Sequence, residues 1–297
     1  MNDTIWSTCI QGAEMLYMTR NIRFRDEYRA QYLKAMSLEN GMNILEVGCG
    51  SGLLCHRLKE WLPGSNITGL DMDANFIKYA REKSIEKGFS CTFVQGDATS
   101  LPFKDNSYDA CTSHTVIEHI PTIPFLSEQF RVCRPGGVVS VISSRTEASI
   151  SPENPQPVTD EEQELWNRVR AASKDCDKNN KVCAYPCSVT DIPRYMEDVG
   201  FINVSVDFIA VTAAPDSAQY NIAAREEFIE TNRRVAQNAI LLAKNYAPGI
   251  WSENEVNRLR ELVNKRFDDR TMALREGRKI WDIAVSMLMI TRGYKPE

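Results

Sequence analysis

Apolar residues recur every fourth position at Phe24, Tyr28, Tyr32 and Met36 with charged residues between them, which predicts a helix over 23–39 that Gly41 ends. The period then changes. Residues 42–47 form a short apolar run that stops at a glycine-rich stretch, 48–52, and Leu54, Leu58 and Trp61 follow at helical spacing. This is strand, glycine loop, helix. After the Pro63-Gly64 turn, 66–70 reads as a second strand that ends at Asp71. Phe76, Ile77 and Ala80 share a helical face, and Gly88 stops that helix as a C-cap does. A third strand is predicted over 89–95, and a fourth over 108–113 behind the Asp105-Asn106-Ser107 turn. A helix over 124–133 is broken at 135–137, and 138–144 is a fifth strand, apolar on both faces.

Strands that alternate with helices, several of them apolar throughout, indicate an α/β fold with a parallel sheet covered on both sides and right-handed crossovers. The pattern is interrupted over 145–190, which holds Pro152, Pro155, Pro157, the acids Asp160, Glu161, Glu162 and Glu164, and three cysteines. This stretch reads as an irregular insertion with one short helix at 161–171. A helix over 191–200 and a sixth strand over 201–211 restore the order. Ile222, Ile229, Ala236 and Ala243 then repeat every seven residues until Pro248-Gly249. Ser252 and Glu255 form a capping box with Trp251 and Val256 as its hydrophobic staple, opening a second long helix to about Gly277. Strict alternation at Trp281, Ile283, Val285, Met287 and Met289 marks a closing strand. The chain thus divides into an N-terminal helical segment (1–40), an α/β domain (41–212 with 280–297), and a helical insertion (213–279). The insertion's apolar stripes suit a lid on the substrate side or a homodimer interface.

Composition narrows the class. The 297 residues are 43% hydrophobic and 25% charged, ordinary for a globular chain, and the net charge of −5 speaks against nucleic-acid backbones or anionic lipid as partners. The longest strongly apolar stretch without a charge, 135–144, is far short of the ~20 residues of a membrane span. The first residues lack the basic and apolar regions of a secretory signal, so a soluble cytoplasmic protein is expected. Nine cysteines, an odd number scattered along the chain, read as reduced thiols. Cys176, Cys183 and Cys187 contain no C-x-x-C pair and have no histidine nearby in sequence, so they read as loop thiols and no metal is expected.

The sharpest chemical signal is Glu46-Val47-Gly48-Cys49-Gly50-Ser51-Gly52, which follows a strand and opens a helix. Dinucleotide folds use G-x-G-x-x-G there to hold a pyrophosphate on the helix start. Here the spacing is G-x-G-x-G with an acid two residues ahead, which repels pyrophosphate and suits a cationic ligand. Asp71 ends the second strand, where a carboxylate can accept ribose hydroxyls, although capping the next helix is the plainer role. Asp97 ends the third strand and can accept from an adenine amino group. Ser113 and His114 end the fourth. Four strand ends therefore converge where open α/β sheets bind ligands. His114 and His119 are the weak candidates for a general base, against the commoner role of holding a loop.

Glu46 to Gly52, Thr68-Gly69-Leu70-Asp71-Met72, Gly96-Asp97-Ala98 with Leu101-Pro102-Phe103, Tyr108-Asp109, Val116-Ile117-Glu118-His119 and Arg134-Pro135-Gly136-Gly137 together resemble the class I S-adenosylmethionine-dependent methyltransferases. The likeness is to the small-molecule branch that includes the quinone-biosynthesis enzymes (methyltransferase type 11), over residues 40–145 and more loosely 191–212. It implies a Rossmann-like sheet of seven strands, mostly parallel with the last antiparallel. It also implies methyl transfer from S-adenosylmethionine to a small acceptor, leaving S-adenosylhomocysteine. Carried over by position, Gly48, Cys49 and Gly50 pack on the methionyl part and Glu46 lies at the same loop. Asp71 takes the ribose, Met72 the adenine face, Asp97 and Ala98 the adenine edge, and Ser113 offers a carbonyl near the methionyl group. The N-terminal segment closes over the cofactor with Tyr17 or Arg20 at its carboxylate. Some relatives bind a divalent metal through E-x-x-E-H; Thr115 stands in the first ligand's place here. A non-catalytic S-adenosylmethionine-binding module and a nucleotide-dependent oxidoreductase are the alternatives; a nucleic-acid methyltransferase would need a basic stripe that this chain lacks.

Overall fold

At the centre of the sheet, β1 (Asn43–Val47) pairs in parallel with β2 (Asn66–Asp71) on one side and β4 (Tyr108–His114) on the other. The chain first winds outward through β2 to β3 (Cys91–Gln95), then returns across β1 to β4 and on to β5 (Cys133–Ser144). That reversal opens a crevice at the carboxyl ends of β1 and β4. Beyond β5, β7 (Ala284–Tyr294) runs antiparallel, and β6 (Ile202–Ala213) lies antiparallel to it at the edge. The seven-stranded order is 3-2-1-4-5-7-6, a Rossmann-like sheet with β7 reversed, as the resemblance implied. The computed structural model describes residues 6–151, 158–179, 182–246 and 251–297.

Alternation along each strand divides the interior. Ile44, Ile67, Ala110, Val138 and Ile290 face one core, under α1 (Ala13–Arg23), α2 (Arg29–Met36), α3 (Leu53–Trp61) and α4 (Ala74–Lys87). Leu45, Val47, Cys111, Val139 and Met289 face the other, under α5 (Thr122–Val132) and α7 (Asp191–Val199). Such two-sided burial is why the strands read as continuous apolar runs.

The helix predicted over 23–39 is divided. Phe24 caps α1, a single turn covers Asp26–Tyr28, and α2 begins at Arg29. Phe24, Tyr28, Tyr32 and Met36 are nevertheless all buried in one core, so their spacing reports a shared face and not an unbroken helix. α1 left little trace in the pattern because Tyr17 is its one buried residue.

The insertions also differ from the reading. The helix expected at 161–171 is α6, Asp160–Asn179, twenty residues long. Its apolar periodicity ends where the chain becomes Lys174-Asp175-Cys176-Asp177-Lys178, although the backbone stays helical. α8 (Ile222–Tyr246) and α9 (Glu253–Arg275) pack against each other and against α6 around Leu165, Val169, Ile240, Ala243, Val256, Leu259 and Val263. The capping box forms, with the Ser252 hydroxyl accepting from the Glu255 N–H and the Glu255 carboxylate accepting from the Ser252 N–H. The stops at Pro248-Gly249 and the prolines at 152–157 lie outside the described residues. Among the described residues no helix is long and apolar enough to cross a membrane.

Candidate functional site

The floor of the crevice is the loop after β1. The N–H groups of Gly48 and Cys49 both donate to the Leu70 carbonyl at 2.7 and 2.9 Å, and that of Gly50 donates to Asp71 Oδ2 at 2.8 Å. Gly52 donates to the Cys49 carbonyl. All four amides are thus occupied within the protein, whereas a phosphate cradle needs them turned outward. Glycine is required on two counts: Gly48 has φ +75°, and a Cβ there would lie 2.4 Å from Val116 Cγ2; at Gly50, φ +53°, it would lie 2.7 Å from Leu16 Cδ2.

Two acids stand on this floor. Glu46 is buried, accepts the Cys55 thiol at 2.9 Å, and burial pushes its carboxyl up to about 8. Asp71 accepts the N–H groups of Gly50 and Asp73, and burial still raises it to about 6. It does not cap the following helix: Asp73 does, accepting from Asn75 and Phe76. Asp71 is therefore held between the loop and the start of α4 and opens on the crevice. Asp97 is exposed and accepts from the Thr99 N–H and hydroxyl, both at 2.7 Å.

The structure brings Glu46, Gly48, Cys49, Gly50, Asp71, Met72, Asp97 and Ala98 to one cleft, together with His114 and His119. With its mouth and the open solvent there, the cleft contains about 920 Å³ of atom-free space. Two expected residues do not line it. Ser113 is fully buried within β4. Tyr17 turns away: its hydroxyl pairs with His56 Nδ1 at 3.1 Å and its ring packs on His56 and Tyr79. Leu16 and Arg20 share the cleft-facing side of α1 at i and i+4, which puts the intervening Tyr17 round the helix.

The resemblance implied a cover from the N-terminal segment, but sequence reasoning did not single out Trp6 within it. Trp6, in the turn Trp6–Ile10, lines the cleft and sets its ring edge-on to His119, with centroids 4.6 Å apart. Ser7 secures this turn through its N–H and hydroxyl to Asp73, at 2.9 and 3.0 Å. A contact between residues so far apart in sequence leaves no local signal. Thr115, noted in the sequence only as replacing a metal ligand, holds φ +52°, uncommon for a threonine, and its hydroxyl accepts from Arg20 Nη2 at 2.9 Å.

Neither imidazole is arranged as a base. His119 Nδ1 accepts the Cys183 N–H at 2.9 Å, so the proton of its neutral ring is on Nε2. Arg23 Nη1, which can only donate, faces His114 Nε2 at 3.4 Å, leaving that ring's proton on Nδ1. Burial, helped by Arg20, lowers His119 to about 4. Burial with Arg20 and Arg23 drives His114 well below its ordinary value. Both rings are neutral at physiological pH, and their lone pairs face donors. Of the three cysteines read as loop thiols, Cys176 instead lies on the helix α6, its side chain outside the described residues, while Cys183 is exposed and Cys187 half-buried near Thr122.

Comparison with known proteins agrees with this geometry. Residues 45–141 match the family model described as a methyltransferase domain. A demethylmenaquinone methyltransferase of Anoxybacillus flavithermus is 36% identical over 115 residues, 38% of this chain and 48% of that one. A malonyl-[acyl-carrier protein] O-methyltransferase of Pectobacterium atrosepticum is 34% identical over 110 residues, 36% of this chain and 41% of that one. The chain thus spans about half the length of the curated relatives it matches. Among solved structures, a Haemonchus contortus phosphoethanolamine N-methyltransferase in complex with S-adenosyl-L-methionine superposes with a TM-score of 0.57 at 17% identity, covering 100% of this chain and 60% of that one. The [4+2]-cyclase SpnF superposes at 0.51 and 19%, covering 91% and 80%. At such identities these two show the fold alone, and the two proteins carry different names of activity on it, an N-methyltransferase and a [4+2]-cyclase. Over residues 45–141 the chain is thus similar to the methyltransferase domain family.

Proposed function

We propose that this cleft binds S-adenosylmethionine and that the chain transfers its methyl group to a small molecule. One observation carries the reading: the buried Glu46 and the half-buried Asp71 flank a loop whose amides at Gly48, Cys49, Gly50 and Gly52 are already occupied. That donor set is wrong for a pyrophosphate and fits a nucleoside bearing cationic groups. Asp71 takes the ribose hydroxyls; Asp97 and Ala98 hold the adenine edge, and Met72 its face. Gly48, Cys49 and Gly50 pack on the methionyl part, and Glu46 beneath the loop answers its ammonium.

When bound, the cofactor supplies a methyl on a sulfonium, already a good leaving group. The protein's own task is alignment and dryness. Trp6, secured through Ser7 to Asp73, covers the mouth and excludes water. The α6–α8–α9 bundle backs this cover, because α8 packs on α1, whose Leu16 and Arg20 line the cleft. Neither His114 nor His119 removes a proton. Each presents an N–H, so an acceptor that must lose a proton loses it to water or arrives already ionised.

Calorimetric titration with S-adenosylhomocysteine tests the reading. Wild type is expected to bind, and Asp71→Ala to bind at least tenfold more weakly, a loss of about 1.4 kcal/mol. A folded Asp71→Ala protein with unchanged affinity overturns the ribose assignment; a wild type that ignores the compound overturns the whole reading.

A further inference from the structure

His114, Thr115 and Val116 follow one another in the chain, and all three line the cleft. A strand turns successive side chains to opposite faces, so this requires a break, and Thr115 at φ +52° supplies it. Two arginines of α1, almost one turn apart, hold the broken end. Arg20 Nη2 donates to Thr115 Oγ1 at 2.9 Å, and Arg23 Nη1 faces His114 Nε2 at 3.4 Å. Among the described residues the imidazole is the one side chain that the Arg23 guanidinium bonds. A guanidinium only donates, so it fixes the His114 lone pair on Nε2 and the proton on Nδ1, the reverse of the tautomer a free histidine prefers. Phe24, edge-on with ring centroids 4.8 Å apart, sets the plane of the ring. Among the described residues Nδ1 has no hydrogen-bond partner, yet it is not one of the buried orphaned atoms. The ring's small remaining exposure is to the cleft it lines, so the Nδ1–H is presented there.

The preceding reading, on which this inference rests, lays the cofactor along successive strand ends: adenine at β3, ribose at β2, the methionyl part at β1. The next strand in the sheet is β4. His114 therefore stands beyond the methionyl part, on the side from which an acceptor meets the methyl group, while Arg20 remains free to take the cofactor's carboxylate. We infer that Arg23 fixes His114 as an Nδ1–H donor, and that this N–H receives a carbonyl or hydroxyl oxygen of the methyl acceptor and so orients the acceptor against the methyl. Trp6, Phe24 and Ile120, which line the same cleft, suit an apolar body around that oxygen. Arg23 itself acts only through the imidazole and is a positioning residue. A neutral, fixed donor in a dry site needs no rearrangement when the acceptor arrives.

The test uses the full chain saturated with S-adenosylhomocysteine. It has three histidines, so nitrogen NMR of the imidazoles separates them, with His114→Asn assigning the signal. His114 is expected as the Nδ1–H tautomer in wild type and in Arg23→Lys, and as the Nε2–H tautomer in Arg23→Met. A merely structural Arg23 would leave the tautomer unchanged, and that result, or Nε2–H in wild type, overturns its role. Acetophenone and isopropenylbenzene, which differ only in C=O against C=CH₂, then probe the contact. The ketone is expected to bind the loaded wild type at least roughly threefold tighter and to shift the Nδ1–H signal. His114→Asn, whose amide N–H can stand near the place of Nδ1, should keep part of that preference; His114→Phe and Arg23→Met should lose it. A ketone that binds no better than the hydrocarbon, or not at all, overturns the contact. So does a folded His114→Phe protein that loses roughly threefold or more in S-adenosylhomocysteine affinity, because the N–H would then serve the cofactor. If His114→Phe does not fold, Arg23→Met decides: a preference that survives the change of tautomer overturns the inference. Failure of S-adenosylhomocysteine to bind wild type is a separate result and overturns the preceding reading instead.

Discussion

Glu46 carries the strongest tension between stability and chemistry in the molecule. Its carboxyl is buried beneath the loop with the Cys55 thiol as donor, and burial lifts it to about 8. The folded chain therefore holds this proton more tightly than the unfolded one, whose carboxyl titrates near ~4.3. The associated stability is fully present below that value and is lost as the pH rises through about 8. Glu46→Gln removes the titration and keeps an oxygen for the thiol. In urea unfolding the variant is expected to match wild type near pH 5 and to exceed it near pH 8.5, by on the order of 1 kcal/mol or more. A gap that does not change with pH would show that Glu46 is ionised throughout. The same residue was legible in the sequence because its partners are local: acid, glycines and helix start lie within a few positions. Tyr17 was not, because which side of α1 meets the cleft is decided by packing against His56 and Tyr79.

At the scale of elements, the junction of β1 with α3 depends on a fit between two loops. A Cβ at Gly48 meets the side chain of Val116, from the segment after β4, at 2.4 Å, and Gly48 also holds φ +75°. Gly48→Ala is expected to cost roughly 2–4 kcal/mol, from overpacking added to backbone strain. Val116→Ala should relieve the first contribution and not the second. In a double-mutant cycle read by urea unfolding, the pair is expected to be more stable than the sum of the single changes by about 1 kcal/mol or more. Strict additivity would mean that the loop moves away from Val116 at no cost. Element boundaries were legible where a chemical stop marks them, as at Gly88, whose αL conformation closes α4. They were misread where the stop is tertiary. Nothing in 23–39 punctuates the chain, and the break at Phe24 comes from its ring packing against Tyr32 and His114. The closing strand shows a related limit: alternation runs back to Trp281, yet β7 starts at Ala284, because Asp216 accepts the N–H groups of Ile280 and Trp281 and holds them off the sheet.

For the whole molecule, the sheet and its order could be anticipated because each strand–helix unit is local, whereas the bundle could not, because α6 and the α8–α9 pair are separated by β6 in the chain. Their core shares no residue with the two cores of the sheet. A buried link joins α9 to the segments flanking the α8–α9 pair: Arg270 donates to Asp216 at 2.9 Å and to Asp282 at 2.6 and 2.9 Å. Separate cores joined by few buried contacts open as separate units. Leu259, fully buried in the bundle, is the place to test this. Leu259→Ala is expected to cost the bundle about 2–5 kcal/mol. In hydrogen exchange, amides of α6, α8 and α9 should lose protection while those of β1 and β4 keep theirs. Because α8 packs on α1, S-adenosylhomocysteine affinity should fall with it, although Leu259 is not among the residues lining the cleft. Equal loss of protection in sheet and bundle would instead make the molecule one cooperative unit, and a bundle that opens with no loss of affinity would remove it from the cover over the cleft.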